Sequence, residues 1–109
     1  MTGITGVGRR QLSALFDFYT DKRRPEAGRR LAADLVAAGR AIRSKPEGGL
    51  ECPRPYPELR QLGFRWRLVR VYWVAWTVMD GRAVITNILH ASADIGRRAS
   101  ASMDDVQDL

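Results

Sequence analysis

Between Arg65 and His90 the chain reads RWRLVRVYWVAWTVMDGRAVITNILH, two runs of β-branched and aromatic residues joined at Asp80-Gly81. That dipeptide is the one favoured by a two-residue type I′ turn, so the segment is expected to form a β-hairpin of definite pairing. With Asp80 and Gly81 in the turn, Met79 faces Arg82, Thr77 faces Val84, Ala75 faces Thr86, Trp73 faces Ile88 and Val71 faces His90, all on one side. The other side holds Val78 with Ala83, Trp76 with Ile85, Val74 with Asn87 and Tyr72 with Leu89. This second set is the more apolar and is expected to pack on helices. The first side, bearing Arg82, Thr86, Trp73 and His90, is expected to stay partly open. A cation, an indole and an imidazole there mark it as the place to look for function.

Upstream of the hairpin the period changes. From Arg9 to Asp21, Leu12, Leu15, Phe16 and Tyr19 fall on one face of an amphipathic helix. Pro25 suits the first turn of a second helix, in which Ala27, Leu31, Leu35, Ala38 and Ile42 make the apolar stripe as far as about Arg43. The spacer Lys22 to Arg24 is short enough for a helical hairpin, and Lys45-Pro46-Glu47-Gly48-Gly49 stops the second helix. Cys52-Pro53-Arg54-Pro55-Tyr56-Pro57 is too rich in proline for a helix or a central strand and is expected to run extended over the surface. An additional strand is expected within Leu59 to Val69. Past His90, ASADIGRRASASMDDVQDL reads as a short helical turn and a frayed acidic tail.

A chain of 109 residues makes one domain around one core. Its 45% hydrophobic content and three Trp argue against disorder, and no apolar run approaches the ~20 residues of a membrane span. MTGITGVGRR lacks the apolar core of a signal peptide, and one cysteine cannot form an internal disulfide. A cytoplasmic protein without membrane partners is expected. Cys52 has no Cys or His neighbour to suggest a metal and is given no role. The net charge of +6 is uneven, since residues 100–109 hold three acidic and no basic side chains. Such an excess favours an anionic partner: nucleic acid, a ribonucleoprotein, or an acidic protein.

The order helix, helix, proline-bounded loop, antiparallel strands predicts an α+β fold, a helical hairpin packed on one face of a small antiparallel sheet. LSALFDFYTDK, the helix end IRSKPEGG, the PELRQL entry, VYWVAWTVMDG and ITNILHASAD match the pattern of a known family. Over residues 9–98 the chain resembles the RelE/ParE superfamily of toxins from type II toxin–antitoxin systems. The resemblance implies one toxin domain over residues 1–98, with 99–109 as a flexible acidic tail. No strand is apparent in MTGITGVG, where that family usually carries one.

The superfamily runs two chemistries. RelE-like members cut mRNA on the ribosome, which needs cations on the scissile phosphate and an acid/base pair for the protons. They commonly carry an Arg just after the strand Tyr, where this chain has Trp73 after Tyr72. They also carry Lys or Arg and then a Tyr near the end, where Ser92, Ala93 and Ala99 stand here. What remains for catalysis is His90, with Arg65, Arg67, Arg70 and Arg82 as a phosphate clamp. Leu-His at that point is common in members without nuclease activity. ParE-like members poison DNA gyrase by stabilising its cleaved-DNA complex and perform no chemistry themselves, and this branch fits better. Binding the cleaved complex more tightly than the resealed one suffices, so basic and aromatic surface can do the work.

Residues expected at the target or antitoxin interface are Arg65, Arg67, Trp73, Arg82, Arg97 and Arg98, with no metal and no organic cofactor. The partner implied is a cognate antitoxin whose acidic, disordered carboxyl segment folds over the helical hairpin and the open sheet face. Operator DNA would be reached only through that antitoxin. Ribosome-dependent mRNA cleavage and a non-toxic co-repressor role are the alternatives to gyrase poisoning.

Overall fold

The computed structural model describes residues 3–92 and 94–101. Strand β1 (Gly3–Ile4) leads into helices α1 (Gly6–Asp21) and α2 (Pro25–Ser44), and a 3-10 helix spans Pro57–Leu62. Strands β2 (Arg65–Val69), β3 (Tyr72–Met79) and β4 (Arg82–His90) come next, and helix α3 covers Ile95–Ala101. The sheet order is β1-β4-β3-β2. Strands β2, β3 and β4 are antiparallel, and β1 lies parallel to β4, so the α+β sheet is mixed. Two residues are too few to show alternation, which is why β1 is invisible in the sequence. Its neighbour Thr5 fixes it instead. Thr5 donates its N–H to the Ile85 carbonyl at 2.9 Å, and its side chain caps α1 by accepting from the Gly8 N–H at 3.1 Å.

Both helices lie on one face of the sheet. Leu12, Leu15 and Tyr19 of α1 and Leu31 of α2 pack with Tyr72 and Ile88, while Ala38 and Ile42 of α2 pack with Val69, Val74, Trp76 and Ala83. Leu31 and Ile42 are buried to 1% and 2% exposure, a burial that stabilises by about 1.5–3 kcal/mol for each side chain. The Lys45-to-Gly49 stop also seats a tryptophan. Trp76 donates its indole N–H to the Pro46 carbonyl at 2.7 Å. Gly49 has φ +78, and a Cβ there would stand 2.6 Å from the Trp76 ring. Only glycine permits both the left-handed backbone and that approach.

The hairpin turn is as the sequence requires, with φ of +53 at Asp80 and +77 at Gly81. Met79 pairs with Arg82, Val78 with Ala83, Thr77 with Val84 and Trp76 with Ile85. Beyond that point the expected pairing fails. Thr86 is an extra residue on β4, and Ala75 pairs with Asn87, Val74 with Ile88, Trp73 with Leu89 and Tyr72 with His90. A bulge of one residue reverses which face each later side chain occupies, so Leu89 joins the side of Trp73 and His90 joins the side of Tyr72. Helix α1 stabilises the irregularity. Gln11 Oε1 accepts from the Ile88 N–H at 2.7 Å, and Gln11 Nε2 donates to Asn87 Oδ1 at 3.1 Å. Asn87 Nδ2 donates to Thr86 Oγ1 at 3.3 Å, and Thr5 Oγ1 to the Thr86 carbonyl at 3.4 Å. Thr86 and Asn87 are fully buried, so these bonds satisfy polar groups that water cannot reach.

The face expected to be open is covered. Trp73 is 5% exposed and belongs to a second core with Phe64, Trp66, Leu89, Ile95 and Ala99, against which Leu50, Tyr56 and Leu62 also pack. The proline-rich connector therefore does not simply run over the surface. It folds back with α3 as a third layer, and Pro53 is fully buried. The physical reason is the amount of apolar surface on that face: Trp66, Trp73 and Leu89 side by side are costly to leave in water. Ala99 to Ala101 continue α3 and are not tail, and the rest of the expected tail, 102–109, lies outside the described residues.

Candidate functional site

The bulge brings His90 to a cleft of about 780 Å³ between α1, the adjoining ends of β3 and β4, and α3. Helix α1 supplies two rows to it. Gln11, Leu15 and Tyr19, spaced by four, face the sheet, and Arg10, Ala14 and Phe18 form the flanking row at the mouth. Arg24 enters from the α1–α2 connection and Arg98 from α3. Tyr19 and Tyr72 share a hydroxyl–hydroxyl hydrogen bond of 3.2 Å. The His90 ring stands edge-on to Tyr72, with centroids 5.4 Å apart and planes at 86°.

The surroundings of Tyr72 and His90 fix which of their atoms can donate. Burial, and then the hydrogen bond and charge of Tyr19, push the Tyr72 hydroxyl from its ordinary value of 10.0 up to about 12. It stays protonated at neutral pH. His90 Nδ1 accepts the Ser92 backbone N–H at 3.0 Å and lies 2.7 Å from Ser92 Oγ. A backbone N–H can only donate, so these contacts assign the neutral-ring proton to Nε2, which presents a donor to the cleft.

Charge is one-sided here. Among the described residues no carboxylate lines the cleft, and Arg10, Arg24 and Arg98 pair with no described acidic side chain. Elsewhere many arginines are paired: Arg29 and Arg30 with Glu26, Arg60 with Glu51, Arg70 with Asp34, and Arg97 with Asp94. Cations gathered around a concave wall of partly apolar side chains raise the local positive potential. Such a site can hold an anion.

Of the residues singled out from the sequence, His90 and Arg98 meet in this cleft and the others do not. Trp73 is buried in the second core. Arg65 is tied down, its Nε donating to the Gly48 carbonyl at 2.8 Å and its Nη2 to the Gly49 carbonyl at 2.9 Å. Arg67 is exposed on the edge strand β2, and Arg97 is held by Asp94 at 3.1 Å. Arg82 sits at the turn end of β4, eight residues from His90 and therefore about 26 Å away along the strand. These positions rule out one site built from Arg65, Arg67, Arg82 and His90. Arg10, Tyr19, Arg24 and Tyr72 were missed. Tyr19 and Tyr72 read as core, and only the flanking row Arg10, Ala14, Phe18 carried a signal.

A second concavity of about 260 Å³ lies between α1 and α2 and is almost wholly apolar, with Leu12, Phe16, Leu35, Val36 and Ile42 among its lining residues. Among the described residues no group of three or more His, Cys, Asp or Glu could hold a metal ion, and no helix is long and apolar enough to cross a membrane. Comparison of the sequence with protein-family models and with curated proteins finds no match.

Proposed function

We propose that this chain is the toxin of a type II toxin–antitoxin pair of the RelE/ParE kind, working in the cytoplasm by binding rather than by chemistry. Its target on this reading is DNA gyrase held in its cleaved-DNA complex. The observation that carries the proposal is the cleft: three arginines paired with no described carboxylate, two hydrogen-bonded tyrosines, and an imidazole whose Nδ1 already accepts the Ser92 N–H. Cutting RNA by in-line attack needs a base for the ribose hydroxyl, whereas trapping a cleaved complex needs only tighter binding to that state than to the resealed one. The short strand Gly3–Ile4 beside β4 stands where that family usually carries an amino-terminal strand.

A cognate acidic antitoxin is the expected neutralising partner, drawn by the net charge of +6. With the Trp73 face covered, the surface left for it is the helical hairpin, where the apolar groove between α1 and α2 can take its apolar side chains.

The test is a gyrase assay with the chain freed of any antitoxin, scoring supercoiling and linear DNA, beside a His90→Ala variant. Linear DNA accumulating with wild type, and still accumulating with His90→Ala, is the expected result. No effect on gyrase removes the proposal, and cleavage of ribosome-bound mRNA that is lost in His90→Ala replaces it with a nuclease.

A further inference from the structure

We infer that the cleft takes the sugar-phosphate backbone of a single nucleic-acid strand, with Arg10, Arg24 and Arg98 on its phosphates and the exposed Phe18 ring offered to a base. The inference deepens the function proposed above and rests on the cleft being its working site: the protein would touch the nucleic acid of its target complex itself.

The lining of the cleft runs along α1 and is not confined to one point. Arg10 and Tyr19 are nine residues apart on α1, about 13 Å along the helix axis. At ~3.4 Å per phosphate along one strand of a duplex, and more when the strand is stretched, that length covers three or so phosphates. The three cations are arginines, whose planar forks match phosphate oxygens, and the Tyr19 hydroxyl and the His90 ring line the same cleft as further donors. Phe18 is 49% exposed at the mouth, with the Lys22 ammonium 6.0 Å from its ring centre. An aromatic face next to a cation is what an unstacked base and its phosphate call for.

An acidic peptide is the competing occupant, and the walls favour it less. The α1 wall is a helix whose interior backbone groups are already bonded, so it offers an extended peptide no ladder of N–H and C=O groups. A phosphate backbone needs only side-chain donors, and those are what the wall supplies.

The experiment is fluorescence anisotropy of a labelled mixed-sequence 12-nucleotide single-stranded DNA with the full chain at 50 and 200 mM salt. Contact with about three phosphates gives a log–log salt slope near −2, so affinity is expected to fall roughly 20-fold between the two conditions. Arg10→Gln and Arg98→Gln are each expected to weaken binding about 5- to 10-fold and to flatten the slope by about 0.7. Arg82→Gln, remote from the cleft, is expected to bind as wild type does. Melting curves of each variant separate lost binding from lost fold. No binding at 50 mM salt, an equal loss in Arg82→Gln, or tighter binding of a 12-residue poly-glutamate peptide than of the DNA would each overturn the inference.

The gyrase assay run on the same variants keeps the two readings apart. Oligonucleotide binding that depends on Arg98 with no effect on gyrase removes the function and leaves the inference. Gyrase poisoning that needs Arg98 in a protein that does not bind the oligonucleotide does the reverse.

Discussion

At the turn end of the β3–β4 hairpin, from Met79 and Arg82 to Trp76 and Ile85, residues pair in strict alternation and the outermost side chain, Arg82, points to solvent with no described partner. At the open end, past Thr86, the same two strands run one residue out of step, and there Leu89 closes a core and His90 meets Tyr72, Tyr19 and Arg98. The regular half builds the sheet. The irregular half places His90 in the cleft, because a single inserted residue exchanges the two faces for everything after it. Without the bulge His90 would stand on the side of Trp73, under the connector layer, and Leu89 would occupy the mouth of the cleft.

The sharpest way to break this contrast is to truncate Trp73. Buried at 5% exposure in the second core, Trp73→Ala is expected to cost about 3–5 kcal/mol in denaturant unfolding. A loss below about 1 kcal/mol would mean that the face is open after all.

Next is the pH dependence set by Tyr72. The unfolded hydroxyl releases its proton near pH 10, while the folded one holds it up to about pH 12. The stabilisation is therefore whole below pH 10 and is lost as the pH rises to 12, by on the order of 2–3 kcal/mol. Unfolding midpoints at pH 9 and 11.5 for wild type and Tyr72→Phe isolate it, since the variant should lose less. Tyr19→Phe removes one of the causes and is expected to bring the Tyr72 absorbance titration down towards 10.

Gln11→Leu takes both bonds from the bulge and strips the buried Ile88 N–H of its acceptor, an expected loss of about 1–3 kcal/mol. Its more telling readout is the His90 ring resonance, which should move as the ring leaves the edge of Tyr72. An unmoved resonance would show that Gln11 is not what holds the open end in its shifted register. The smallest effect belongs to the regular half. Gly81→Ala forces a left-handed residue at φ +77 and is expected to cost about 1 kcal/mol, with no change at His90.

Much of the fold was legible because it rests on local rules. Asp80-Gly81 specified its turn, Pro25 the start of α2, and the apolar periods of both helices the faces that now pack on Tyr72, Val74 and Trp76. The site was legible only in fragments. His90 and Arg98 stand out in the sequence, but among Arg65, Arg67, Arg82 and Trp73, which the structure disperses to a loop clamp, an edge strand, a turn and a core. Grouping Trp73 and Arg82 with His90 assumes unbroken alternation from the turn onward, and one extra residue is enough to defeat that assumption.

Short-range sequence is sufficient for the classes of element, the hairpin turn, the helical faces and the excess of positive charge, because each depends on neighbours within a few residues or on composition alone. Which face is covered and where His90 points are set by long-range contacts. They depend on Gln11 reaching across 76 and 77 residues to Asn87 and Ile88, and on the connector and α3 folding over Trp73. No local pattern encodes them, since hydrogen bonds to a bulge and burial of an indole are settled by what else the chain brings to the same place.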